Sequence, residues 1–201
     1  TRAAAELDGF LADIAGEAFY ELGEIRLRMG DLPGAGAMFS EAHARGRDPQ
    51  PGMAALRLLE GRPEAACSMI ERALMEPGLT MLDRAKLLPT LVEIRVACDE
   101  LDAAAEAAAE LETITRTYTS PALMAAAALA HGRVELARGQ AQEAMLHLRQ
   151  ACRVWTQIEL PLELAQTRLL LSRAYLIQGN ADEANLEERA ARTAMGLIRS
   201  P

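Results

Sequence analysis

One short pattern recurs along the chain and limits what it can fold into. Gly30-Asp31, Gly61-Arg62, Asp99-Glu100, Gly139-Gln140 and Gly179-Asn180 each interrupt an apolar, helix-periodic stretch and precede a second one. The breaks lie 31, 38, 40 and 40 residues apart. A supersecondary unit of that length cannot bury its apolar face alone, so the spacing predicts helix–turn–helix units stacked side by side.

The residues at the breaks support turns. Glycine accepts the left-handed conformation that ends a helix, and the Asp, Asn or Gln after it can cap the next one. Asn180 and Glu183 have the spacing of a capping box. Pro63 and Pro121 stand where a first helical turn begins, with Ser120 as an N-cap. The run Asp48-Pro49-Gln50-Pro51-Gly52 reads as a loop between units. The predicted helix pairs are 16–29 with 32–45, 51–60 with 63–75, 81–98 with 101–117, 121–138 with 141–157, and 161–178 with 181–198. Residues 3–14 read as the last helix of a preceding unit. The expected fold is an all-α, α-α superhelix of about five such units plus an N-terminal helix, one repeat domain over 1–201. The units are expected at about 16–46, 50–76, 80–118, 120–158 and 160–198.

Composition narrows the core and the partners. Half the residues are hydrophobic but only 3% are aromatic, so Ala, Leu, Ile, Val and Met must fill the interior. Ala and Leu lose little side-chain freedom in a helix, and alternating strand-type runs are scarce. A net charge of −8 argues against direct nucleic-acid binding and against docking on anionic membranes. Cys67, Cys98 and Cys152 are too few and too scattered for a disulfide framework, which points to the cytoplasm. No apolar run approaches a bilayer span and no signal peptide is visible. The chain opens at Thr1 in helical pattern, as expected of a fragment of a longer protein.

The residues around the breaks resemble the tetratricopeptide repeat. Phe19, Leu22-Gly23, Gly30-Asp31, Ala35, Phe39 and Ala42 follow that pattern in the first full unit. Gly132, Gly139, Ala144, Leu148 and Ala151 follow it in the fourth. Leu171, Tyr175, Gly179-Asn180, Ala184 and Ala191 follow it in the fifth, with Ser172 for the first glycine and Glu188 for the aromatic. The second unit keeps Gly61, Ala66, Ile70 and Ala73; the third keeps Ala104 but has Val92 and Asp99 in place of glycines. The small residues let paired helices approach and the large ones fill the space between them. Repeats near 40 residues, and the run from Glu24 to Ala35 followed by Arg47 to Gly52, are similar to the array in bacterial transcription regulators of the MalT/LuxR type. That resemblance implies a sensory arm between a nucleotide-binding module and a helix-turn-helix.

Chemistry is sparse. Lys86, the only lysine, has no Gly-rich phosphate loop before it, and no nucleophile elbow exists. His43, His131 and His147 are dispersed; His131 and Glu135 share a helix spacing but lack the further ligands a metal needs. Acid pairs such as Glu187-Glu188 read as solvated helix surface, and the cysteines as inert thiols on apolar faces. Trp155 reads as packing between units. No catalytic set, cofactor or metal site is expected, and the chain is not read as an enzyme.

The resemblance implies a concave surface lined by first helices. Aligned on the turns, the first unit offers Glu17, Tyr20, Glu24, Leu27 and Arg28. The third offers Lys86, Glu93 and Val96, the fourth Leu129, Arg133 and Leu136, and the fifth Gln166, Leu169, Arg173 and Leu176. Arg133 and Arg173 occupy equivalent places one repeat apart and, beside leucines, suit a carboxylate or phosphate. The alternative is that both arginines pair with nearby glutamates. Two functions stay open: the effector-sensing arm of a LuxR-type regulator, or a scaffold for a peptide or subunit unrelated to transcription. The expected partner is a protein, a peptide or a small anionic effector, and an uncovered terminal helix also permits a homodimer.

Overall fold

The computed structural model describes the backbone of residues 2–199 and the side chains of residues 13–196. The chain divides into two compact units, Thr1–Gly78 and Leu79–Pro201. Every regular element among the described residues is an α-helix.

The first unit holds α1 (Arg2–Met29), α2 (Leu32–Ala44), α3 (Gly52–Leu59) and α4 (Pro63–Leu74). α1 packs on α2 and α3, α2 also on α3, and α3 on α4. Phe39 lies at the centre of its core, with Tyr20, Ala35, Ala42, Met53 and Leu56 around it. The second unit holds α5 (Met81–Ala97), α6 (Leu101–Thr117), α7 (Pro121–Ala137), α8 (Ala141–Gln157), α9 (Pro161–Ile177) and α10 (Ala181–Arg199). Here α5–α6, α7–α8 and α9–α10 are hairpins, and the first helices α5, α7 and α9 lie next to one another in that order.

The predicted helix pairs all form, with ends within a residue or so, apart from the start of the first. Residues 3–14 are not a separate helix: α1 runs unbroken from Arg2 to Met29. Gly16 lies inside it, and a lone glycine weakens a helix by only about 1 kcal/mol without ending it.

The five breaks share one hydrogen-bond pattern. At the first, Gly30 N–H donates to Leu27 O and Asp31 N–H to Arg26 O. The same pair of bonds closes the turns at Gly61, Asp99, Gly139 and Gly179. The six-to-one bond satisfies a carbonyl of the last helical turn and demands a left-handed residue at the break. That residue is Gly30 with φ 80° in the first unit, but Asp99 with φ 60° in the third. Side-chain capping adds less than the sequence implies. Asp31 accepts from Gly34 N–H, whereas Arg62, Glu100, Gln140 and Ser120 occupy N-cap positions without a side-chain cap bond. The complete capping box is at Thr80 and Asp83, which sequence reading missed.

The same turn geometry recurs between α8 and α9, where Glu159 takes φ 56° and Leu160 N–H bonds to Trp155 O. A left-handed conformation costs an ordinary L-residue about 1–2 kcal/mol, and glycine recovers most of that. Glu159→Gly is therefore expected to raise stability by about 0.5–1 kcal/mol. Asp99→Gly should raise it less, because aspartate tolerates this region better. Urea unfolding of each single variant reads the effect.

The small-to-large seam within a hairpin takes three forms. In α1–α2, a Cβ on Gly23 would lie 2.5 Å from the Phe39 ring; in α7–α8, one on Gly132 would lie 2.7 Å from Leu148 Cδ2. One repeat earlier, the matching positions are Val92 and Ala108, both fully buried. The bulk has moved from the second helix to the first. One repeat later, Ser172 takes the glycine's place and its hydroxyl donates to Ala184 O at 2.9 Å. The departures from the repeat pattern in the third and fifth units are thus alternative ways to fill one seam.

Candidate functional site

The candidate groove residues fall into two groups, one in each unit. In the first, Tyr20 is a core residue, its ring 5.6 Å from that of Phe39. Its hydroxyl donates to Glu24 and accepts from the Gly52 N–H, and burial pushes its acidity far above the usual phenol range. Burial also raises the Glu24 carboxyl, offset in part by Arg28 and by the Tyr20 hydroxyl. Tyr20 and Glu24 therefore join α1 to the start of α3 and offer no open face. Glu17 is exposed and holds Arg47 Nε at 2.6 Å, and the Arg47 guanidinium covers the Tyr20 ring at 4.2 Å. Arg28 is exposed and Leu27 half-buried.

In the second unit the predicted residues line up on α5, α7 and α9. Lys86 is exposed, 3.4 Å from Asp83 of its own helix. Glu93 of α5 and Arg133 of α7 form an ion pair at 2.8 Å. Leu136 is buried, and Leu129 packs against the α7–α8 core on one side and the Trp155 cluster on the other. On α9, Gln166 and Arg173 are exposed and Leu169 half-buried, while Leu176 is 57% exposed. Val96 is half-buried.

The two equivalent arginines therefore differ. Arg133 is spent on Glu93, as the alternative reading of the sequence has it. Arg173 makes no ion pair among the described residues. The other cations that cross between helices of this unit are tied as well. Arg84 grips Glu110 through two bonds, of 2.5 and 3.0 Å. Arg138 holds Asp102 at 2.8 Å, Arg168 holds Glu187 at 3.1 Å, and Arg149 donates to the Tyr175 hydroxyl at 2.7 Å. The α9 stripe Gln166–Leu169–Arg173–Leu176 thus combines an available guanidinium with apolar surface at helical spacing.

Three further places bear on chemistry. His131 stacks on His147, ring centroids 5.2 Å apart, and Glu112 Oε2 lies 3.2 Å from His131 Nε2. That contact lacks hydrogen-bond alignment, so the buried Nε2 has no true acceptor. The Glu135 expected beside His131 also faces His147 electrostatically. Among the described residues no three His, Cys, Asp or Glu side chains are arranged to hold a metal. Burial and His131 lower the His147 pKa, against the pull of Glu135 and Glu112. The unfolded chain then binds more protons than the fold just below the ordinary histidine value. Stability is therefore expected to fall as pH drops through about 6.5. His147→Gln should flatten that slope in urea titrations at stepped pH.

Trp155 is buried among Ala125, Ala128, Ala151 and Leu164. Its indole Nε1 has no acceptor. The cysteines are free and half-buried, and burial pushes the Cys152 thiol up to about 11, so it stays protonated at neutral pH. In the first unit, a cleft of about 710 Å³ opens between α2, α3 and α4, with Met53 and Met69 beside His43, Asp48, Arg72 and Glu76. Sequence reading missed it. The signal available was a pair of methionines, which fill irregular gaps and adapt to what they contact.

No family model and no curated protein matches the chain. Among solved structures it is similar to BtubC (BKLC) from P. vanneervenii, with a TM-score of 0.66 at 21% identity, over 100% of this chain and 87% of that one. A structure of MamA protein aligns with a TM-score of 0.45 at 18% identity, over 90% of this chain and 91% of that one. No described helix is long and apolar enough to cross a membrane. Five helix pairs closed by one turn geometry, small-to-large seams within the hairpins and the likeness to BtubC together make this chain an all-α, tetratricopeptide-like helical repeat protein.

Proposed function

We propose that the chain is a protein-interaction scaffold, with the first-helix face of the second unit as its binding surface. The observation that carries this is Arg173, an exposed guanidinium without an ion-pair partner, flanked on one face of α9 by Leu169 and Leu176. An extended or helical segment with a carboxylate between apolar residues fits that stripe, since a carboxylate accepts paired bonds from a guanidinium. Leu129 and Glu93–Arg133 on α7 and α5 continue the surface and set a second charge pattern beside it. A small anionic effector fits the same cation but leaves the leucines unused, so we favour a peptide. The net charge of −8 keeps nucleic acid and anionic membrane out of the partner list, and the free thiols fit the cytoplasm.

The test is selection from a random peptide display library on the immobilised chain. Enrichment of sequences with Asp or Glu between apolar residues supports the reading. Enrichment of basic sequences, or none, removes it.

A finer reading makes this scaffold the sensory arm of a LuxR-type transcription regulator. Its support is the 40-residue spacing of the last three breaks, with the run from Glu24 to Ala35. Reading the open reading frame on both sides decides it. A nucleotide-binding module before and a helix-turn-helix after are required, and any other arrangement removes the regulator while leaving the scaffold.

A further inference from the structure

The outward faces of the first and last helices differ in kind. α1 buries Gly16, Tyr20 and Gly23 towards its neighbours. Its opposite face carries Ile14, Leu22, Ile25 and Met29, exposed by 51, 46, 51 and 63%, with exposed Ala18 among them. These positions recur at helical spacing and form one continuous apolar stripe. α10 packs on α9 alone among the described residues. Its free face is lined by Asp182, Asn185, Glu188, Arg189 and Arg192, with Leu186 as the one apolar side chain among them. A polar outer face is what a terminal repeat needs in water. α10 has it and α1 does not.

We propose that α1 is a self-association surface that pairs with α1 of a second copy in antiparallel fashion about a two-fold axis. Head-to-tail stacking is disfavoured, because α10 presents charge where α1 needs apolar contact. An isologous contact instead sets the stripe against itself and closes at two subunits. In the register that aligns the stripes, Ile14 opposes Met29 of the second copy, Ala18 opposes Ile25, and the two Leu22 side chains flank the axis. On an antiparallel pair the same flank of each helix meets. Glu17 and Arg28 lie on one flank of the stripe, so Glu17 of each copy faces the Arg28 end of the other. That is charge-complementary in this orientation, and in a parallel pair like charges would meet instead. Glu21, near the axis on that flank, opposes its own copy and weakens the contact.

Sedimentation velocity on the full chain over about 1–100 µM tests the surface. The expected result is a monomer–dimer equilibrium without larger species. Ile25→Glu should weaken dimerisation by about tenfold or more, Glu21→Gln should tighten it several-fold, and Leu186→Glu should leave it unchanged. Far-ultraviolet circular dichroism confirms that each variant keeps its helices. A chain that stays monomeric throughout leaves the stripe to some other occupant and overturns the proposal. So does a dimer insensitive to Ile25→Glu, one abolished by Leu186→Glu, or an open-ended polymer.

Discussion

Phe39→Ala is expected to lower the unfolding free energy by about 3–5 kcal/mol, the largest loss of any single change considered. The ring is fully buried. It fills space that Gly23 and Gly52 leave open, since a Cβ on either would come within 2.6 Å of it. Alanine at this position leaves a cavity between α1, α2 and α3 that backbone glycines cannot refill. Tyr20, which packs on the ring at 5.6 Å, also loses a wall, and with it the support for its bonds to Glu24 and Gly52. Conservative replacement separates the causes. Phe39→Leu keeps part of the volume and should cost distinctly less than alanine. Urea unfolding followed at 222 nm measures both, and equal losses would show that ring volume is not what matters.

The second large effect lies in the α7–α8 seam and depends on two residues together. Gly132→Val drives a branched side chain into Leu148, whose Cγ and Cδ2 would lie 2.8 and 2.7 Å from the new Cβ. Overpacking of this kind costs about 1–3 kcal/mol and more where a helix pair must separate. Leu148→Ala alone opens a cavity at a fully buried site and costs about 2–5 kcal/mol. The double variant reproduces Val92 with Ala108, the arrangement the chain already uses one repeat earlier. Its loss should be smaller than the sum of the single losses by at least about 1 kcal/mol. Additive losses would mean that the seam in the third unit is filled differently from that in the fourth, contrary to the account of the repeat departures given above.

Helices and turns were legible in the sequence because glycine spacing and helical periodicity are local signals. Gly30, Gly61, Gly139 and Gly179 mark turns that close with identical bonds, and Asp99 was read correctly as their substitute. Capping was less legible. A residue of capping type at the right place, such as Ser120, shows what a side chain can do, not whether the backbone turn leaves it anything to do. The Val92–Ala108 exchange looked like a weak repeat because the pattern scores each position separately, whereas packing conserves the sum across the seam. Tyr20 and Glu24 looked like groove residues for the same reason. Their positions match the first-helix face, but the short α3 begins at Gly52, and its exposed N–H draws the phenol inward. Arg133 and Arg173 are indistinguishable by alignment. Only the placement of Glu93 on the neighbouring helix separates a tied arginine from an available one.

The measurement that bears most directly on the scaffold reading is the affinity of one display-selected peptide for the wild-type chain, for Arg173→Glu and for Arg153→Glu. Arg153 is also exposed and without an ion pair among the described residues, but it lies on α8. The account predicts that Arg173→Glu weakens binding by about tenfold or more while Arg153→Glu changes it little. Equal affinity for the wild type and Arg173→Glu, or equal losses in the two variants, would contradict it.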